Sequence, residues 1–146
     1  MSSTVIKTVE GEVIYILKSW NGWREATYRE TVEAAVKMGI ALHDGEFASM
    51  DLCKAKLAGA QIERGYFHLC TLTGANLRRA NLRGADFRNA GAMDVSFRRA
   101  NLRDADFRDA RLYDADFRGA DLRGAKFEGA QLRGALFDDD ASDKVA

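Results

Sequence analysis

The chain has 146 residues, room for one domain of ordinary size with a capped end. Lysine and arginine total 22, aspartate and glutamate 22, and the pI is near 6.7, so bulk charge points to neither nucleic acid nor a membrane surface. No apolar run approaches the roughly eighteen residues that span a bilayer, and Met1-Ser2-Ser3-Thr4 lacks the features of a signal peptide. Two cysteines make no disulfide framework, so a reducing cytoplasm is the simplest setting.

Val5 to Val9 and Val13 to Leu17 are apolar, β-branched runs around Glu10-Gly11-Glu12, which predicts a short hairpin. Ser19-Trp20-Asn21-Gly22-Trp23 follows as a loop with two indoles, read as packing in a cap or alternatively as a partner contact. Thr27-Tyr28-Arg29-Glu30 has the form of a capping box. Tyr28, Val32, Ala35 and Val36 share a face at helical spacing, and Gly39 is placed to end the helix, predicting it from about residue 28 to 38. Residues 1–39 are thus expected to form an N-terminal cap.

From Ile40 to Asp139 the chain repeats every five residues without insertion or deletion. The centre of each pentad falls at a number ending in 2 or 7, from Leu42 and Phe47 to Leu132 and Phe137, and only Ala92 is not large and apolar. Two residues before the centre stands, in most pentads, a small residue, usually Ala; the other positions are mostly Arg, Asp, Asn, Gly and Gln. A period of five fits neither helix nor strand, so each pentad is a bent unit that buries its apolar side only by stacking on neighbours. Every fourth centre forms a column, and one column is Phe throughout: Phe47, Phe67, Phe87, Phe107 and Phe127. The expected fold is an all-β solenoid with a four-sided turn of twenty residues, about five coils over residues 40–139, and a shaft of roughly 24 Å at the ladder spacing of about 4.8 Å. The cap would cover Leu42, Phe47, Leu52 and Leu57, which an open first coil leaves exposed.

Ala75-Asn76-Leu77-Arg78-Arg79, Ala80-Asn81-Leu82-Arg83-Gly84, Ala100-Asn101-Leu102-Arg103-Asp104 and Ala120-Asp121-Leu122-Arg123-Gly124 resemble the consensus of the pentapeptide-repeat proteins, A(D/N)LXX. The resemblance implies a right-handed quadrilateral β-helix about as wide as duplex DNA. It does not imply one activity: some members block gyrase by resembling DNA and confer drug resistance. A short hairpin and helix before the pentads also resembles phage and prophage members. The polar tail, residues 140–146, departs from gyrase-blocking members, which dimerise through an apolar C-terminal extension. It leaves the coil of Leu122, Phe127, Leu132 and Phe137 either partly open or covered by a second copy stacked end to end, so a monomer and an end-to-end homodimer are both expected states.

Catalysis needs convergent groups, and none is evident. His43 and His68 fall at outward positions on different columns without a partner set for metal binding or nucleophile activation. Pairs such as Asp104 with Asp106 suit ladder residues better than an acid/base couple. The expectation is a non-catalytic protein-interaction module with no metal or cofactor. Charge separates along the axis: residues 54 to 103 sum to +7 and residues 104 to 143 to −5. An inhibitor occupying the DNA-binding site of a nucleic-acid-handling complex, gyrase or a CRISPR surveillance complex, would use Asp104, Asp106, Asp109, Asp114, Asp116 and Asp121. The alternatives are a neutral scaffold, or direct binding of nucleic acid or an acidic partner through Arg78, Arg79, Arg98, Arg99 and Arg118.

Overall fold

The computed structural model describes residues 3–7, 11, 13–18 and 27–139. Strand β1 (Ser3–Lys7) pairs antiparallel with β2 (Val13–Lys18), Ser3 facing Lys18 and Ile6 facing Tyr15, with a bulge between Ile6 and Lys7. Val9, Glu10, Glu12, the Trp20 and Trp23 loop and the tail 140–146 lie outside the described residues. Helix α1 (Tyr28–Lys37) opens on the capping box: Thr27 Oγ1 accepts from Glu30 N at 3.2 Å, and Glu30 Oε2 accepts from Thr27 N at 2.8 Å. Gly39 takes a left-handed φ of 72° just past its end.

Beyond α1 the backbone does one thing repeatedly. Parallel bridges join residues twenty apart, from Glu46 with Tyr66 to Asp116 with Leu136, so four pentads complete each circuit. Around one pentad, Phe67 N donates to Asp86 O at 2.7 Å, Leu69 N to Arg88 O at 3.2 Å and Cys70 N to Phe67 O at 3.0 Å. The last of these closes a turn whose third residue must be left-handed. Every such third residue from Asp44 to Gly134 has positive φ, and twelve of them are not glycine. The ladder runs unbroken through Gly91–Val95, with Ala92 N donating to Arg111 O at 2.8 Å, so the irregular pentad forms no bulge.

Centres and small positions point inward together. Leu42 through Leu112 are fully buried at the centres, and the alanines from Ala55 to Ala115 are at most 2% exposed. The rings of Phe47, Phe67, Phe87, Phe107 and Phe127 stack at 4.7 to 5.0 Å. Phe97, Phe117 and Phe137 form a second stack at 5.1 and 5.0 Å, edge-on to the first. Burying each ring contributes about 1.5–3 kcal/mol, and each ring pair about 0.5–1.5 more. Gly45 and Gly65 stand where Ala is usual for a steric reason. A Cβ at Gly65 would lie 2.6 Å from Ile62 Cγ2 and 2.8 Å from Phe67 Cε2; one at Gly45 would lie 2.6 Å from the Phe47 ring.

The two ends differ. At the start, cap groups stand in for the circuit that would precede: Lys7 O accepts from Glu46 N at 2.8 Å, Tyr28 Oη donates to Glu46 O at 2.7 Å, Arg29 Nη1 donates to Cys53 O at 2.9 Å and Glu33 Oε1 accepts from Lys56 N at 2.8 Å. At the other end Leu122, Phe127, Leu132 and Phe137 are only half-buried, and their backbone N–H groups meet no acceptor among the described residues. There the Asp138 carboxylate accepts from Gly119 N at 2.9 Å.

Candidate interaction surface

Three positions of each pentad reach solvent: the residue before the centre and the two after it. Where the first is Asp and the second Arg, the two lock together. Asp86 Oδ1 accepts from Arg88 N at 3.0 Å and from Arg88 Nε at 2.9 Å, while Oδ2 takes Nη2 at 2.7 Å. This is an Asx turn with a guanidinium fork laid over it. Asp106 with Arg108, Asp116 with Arg118 and Asp121 with Arg123 repeat it, the closest contacts being 2.6, 2.8 and 2.5 Å. The fork from Arg108 holds the Asp106 carboxyl below its ordinary range, Arg118 does the same for Asp116, and Arg123 takes Asp121 down to about 2. At Asp86 burial opposes ionisation, but the Arg88 hydrogen bonds outweigh it and the net shift is downward. One further fork joins neighbouring circuits: Arg64 Nε and Nη2 donate to Asp44 at 2.7 Å each.

The six acids expected to form one surface therefore divide. Asp106, Asp116 and Asp121 are half-buried and closed onto arginines. Asp104, Asp109 and Asp114 are exposed, left-handed third residues at successive corners, with φ of 60°, 59° and 56°. Only Asp104 has an ion-pair contact among the described residues, a loose 3.7 Å to Arg83 Nε. Gly124, Gly129 and Gly134 sit beside them in the next circuit, where any Cβ would collide with the Asp104, Asp109 and Asp114 carboxylates.

The five arginines divide as well. Arg118 is closed onto Asp116, and Arg98 approaches the same carboxylate only to 3.8 Å. Arg78, Arg79 and Arg99 form no ion pair among the described residues, and neither does Arg103, which belongs with them. For the arginines just after a centre the signal that sorts them lies two residues upstream: Asp closes the fork, whereas Asn76, Asn81, Ser96 and Asn101 leave it open; Arg79 and Arg99 are left-handed third residues, to which this signal does not apply. Beside Arg83 lies a groove of about 290 Å³ lined by Glu63, Arg64, Arg83, Gly84 and Asp104.

Elsewhere, Cys53 and Cys70 are free thiols, and burial pushes the Cys70 thiol up to about 12. His43 Nδ1 accepts from Glu63 N at 3.0 Å. Among the described residues no group of three or more His, Cys, Asp or Glu is placed to hold a metal, and no helix is long and apolar enough to cross a membrane.

A family model described as a pentapeptide repeat region matches residues 60–137. The chain belongs to the pentapeptide repeat family. Proteins of this family form right-handed quadrilateral β-helices and are generally non-enzymatic structural or interaction proteins. Among solved structures the chain is similar to Rfr23 of the cyanobacterium Cyanothece 51142, at 23% identity over 67% of this chain and 60% of that one, with a TM-score of 0.38. It is also similar to HetL of the cyanobacterium Nostoc sp. strain PCC 7120, a protein involved in heterocyst differentiation regulation, at 27% identity over 69% and 61%, TM-score 0.32. A third is a trypsin-treated form of QnrB1, a plasmid-mediated fluoroquinolone resistance protein, at 18% identity over 64% and 60%, TM-score 0.40. The chain spans about three fifths of the length of these proteins. No curated protein matches it.

Proposed function

We propose that this chain is a non-catalytic protein-interaction module acting in the cytoplasm without a cofactor, and that the acidic contact it offers is the row Asp104, Asp109 and Asp114. The observation that supports this is the division among its carboxylates. These three stand exposed at successive corners, while Asp106, Asp116 and Asp121 already face their own guanidinium groups. Of these two sets, the first is the one that offers a basic partner charge not already closed onto an arginine. The partner of this chemistry is a complex built to grip duplex DNA, gyrase or a CRISPR surveillance complex, blocked in a phage setting by an acidic shaft of DNA-like width.

The test is affinity capture from a host lysate with the native chain beside Asp104→Asn, Asp109→Asn, Asp114→Asn. Asn tolerates the left-handed backbone, so the triple variant keeps its fold. The expected result is a DNA-binding complex recovered by the native chain alone and displaced by competing duplex DNA. Equal recovery by the variant refutes the acidic row. Self-association is a separate matter: a second copy stacked end to end would cover Leu122, Phe127, Leu132 and Phe137, and a mass that stays monomeric at high concentration rules that out.

A further inference from the structure

Six of the arginines without a closed fork fall together, in two copies of one octad: Asn76-Leu77-Arg78-Arg79-Ala80-Asn81-Leu82-Arg83 and Ser96-Phe97-Arg98-Arg99-Ala100-Asn101-Leu102-Arg103; Arg111 and Arg133, the latter over the Tyr113 ring, lie outside it. The copies are twenty residues apart, and the bridges Asn76–Ser96 and Asn81–Asn101 lay one directly beside the other. Arg78, Arg79, Arg83 and their counterparts Arg98, Arg99, Arg103 thus form a double row that turns one corner of the shaft. The flanking circuits bound the band. On one side Lys56 to Glu63 carries no arginine; on the other, Asp116 to Arg123 has the same pattern with Asp at both leading positions and Gly119 at the corner, and its forks are closed.

The chemistry of closure is visible within the band. Asn76 Oδ1 accepts from Arg78 N at 3.2 Å and Asn101 Oδ1 from Arg103 N at 3.3 Å, the Asx turn of the closed pairs with a neutral amide in place of the carboxylate. The turn is kept and the guanidinium is released. The nearest carboxylates, Asp104 and Asp116, stay 3.7 and 3.8 Å away, beyond hydrogen-bond distance. Arg79 and Arg99 also hold left-handed backbone, φ 58° each, where the next circuit has Gly119. Unlike Arg64, which gains Asp44 at such a position, they gain no partner among the described residues.

We propose that this double row binds the phosphodiester backbone of duplex nucleic acid. Guanidinium forks suit phosphate oxygens, and a narrow band of like charge suits a linear polyanion. A protein partner would want an apolar anchor at the centre of its contact. The band offers none, since the exposed large apolar residues Met38, Leu69 and Leu136 lie outside it. It has no exposed aromatic ring for stacking unpaired bases either, so contact is with backbone rather than sequence. This surface meets the row of Asp104, Asp109 and Asp114 only at Asp104, 3.7 Å from Arg83 Nε; the duplex is read through the arginines and the lysate partner through the carboxylates, so their variants tell the two assignments apart.

The experiment is fluorescence anisotropy of a labelled duplex of roughly twenty base pairs, titrated with the full chain at several salt concentrations from about 50 to about 200 mM. Four to six phosphate contacts predict a slope of log affinity on log salt of about −4 to −5. In Arg79→Gly, Arg99→Gly the substitutions relieve left-handed strain, so the protein stays folded; the slope should shrink by about 2 and affinity at low salt fall by about tenfold or more. Asn76→Asp, Asn101→Asp keeps every arginine but supplies two of the four missing carboxylates, closing Arg78 and Arg103, and should weaken binding similarly. Arg108→Gln, removing a closed arginine, should leave it unchanged. Absence of binding at the lowest salt, native affinity in the double glycine variant, or displacement of the duplex by polyglutamate as readily as by unlabelled duplex overturns the proposal.

Discussion

Gly65→Ala moves this chain towards its own repeat, since Ala is the usual residue two places before a centre, yet it should destabilise the fold. The new Cβ would sit 2.6 Å from Ile62 Cγ2 and 2.8 Å from Phe67 Cε2. Neither neighbour can yield freely: Ile62 is fully buried, and the Phe67 ring is stacked between Phe47 at 4.7 Å and Phe87 at 4.8 Å. Overpacking of this kind typically costs about 1–3 kcal/mol, and the lower entropy of the unfolded alanine chain returns about 0.4–1. The expected net loss is therefore about 1–2 kcal/mol, read as a lower urea midpoint at unchanged slope in circular dichroism. Ile62 is the one β-branched residue in a column otherwise made of Leu42, Leu82, Leu102 and Leu122, and its branch makes the closest contact. Ile62→Leu should therefore rescue part of the loss, with a coupling of at least about 0.5 kcal/mol. A neutral or stabilising Gly65→Ala would refute the steric account of the glycine.

Leu69→Gly should stabilise the fold by about 0.5–1 kcal/mol, because Leu69 combines a φ of 57° with 58% exposure and loses more strain than contact; a lower urea midpoint counts against this. Tyr28→Phe removes the hydroxyl that donates to Glu46 O at 2.7 Å and should cost about 1 kcal/mol, checked by thermal unfolding; an unchanged midpoint means the cap does not depend on that bond. Asp86, Asp106, Asp116 and Asp121 all have folded pKa values below the ordinary 3.8, Asp121 at about 2. Depressed carboxylates stabilise the fold above the unfolded value and lose that contribution as pH falls through the folded one, so the melting temperature should drop between about pH 4 and 2. Asp121→Asn should soften the drop, and a flat profile there refutes the linkage. Ala92→Leu should destabilise by about 1–3 kcal/mol, since Ala92 and Val95 are both fully buried and Val95 adds volume where Ala is usual; Val95→Ala in the same chain should reverse most of it.

The inward half of this molecule was legible because stacking is unforgiving. A residue that recurs every twenty positions on a ladder faces only copies of its own column, so Phe stacks on Phe and Leu on Leu, and the period alone says which side chains meet. The left-handed corners were not legible. Glycine marks seven of them in the shaft, but Lys54, Arg64, Leu69, Arg79 and Arg99 hold the same backbone with side chains that disfavour it. There the closed ladder on both sides dictates φ and the residue follows. Gly45 and Gly65 escaped for the opposite reason: the small position reads as small, and only the tilt of the Phe47 and Phe67 rings and the branch of Ile62 separates room for a methyl from none.

On the outward half, summed charge is the wrong unit. Summing charge along a column assigns Arg118 and Arg78 to one basic surface, although Arg118 is neutralised by Asp116 at 2.8 Å and Arg78 faces the neutral Asn76. The sum over residues 104 to 143 likewise counts Asp106, Asp116 and Asp121 as free acid when each already holds a guanidinium. The relevant unit is the pair two residues apart across a centre, because the turn brings that side chain to the backbone N–H, and to the guanidinium, two residues on. With that rule the sequence alone sorts Asp-x-Arg from Asn-x-Arg and marks Arg78, Arg83 and Arg103 of the double row. In a consensus that accepts Asp or Asn at one position, the choice between them sets whether an arginine serves the shaft or remains available to a partner.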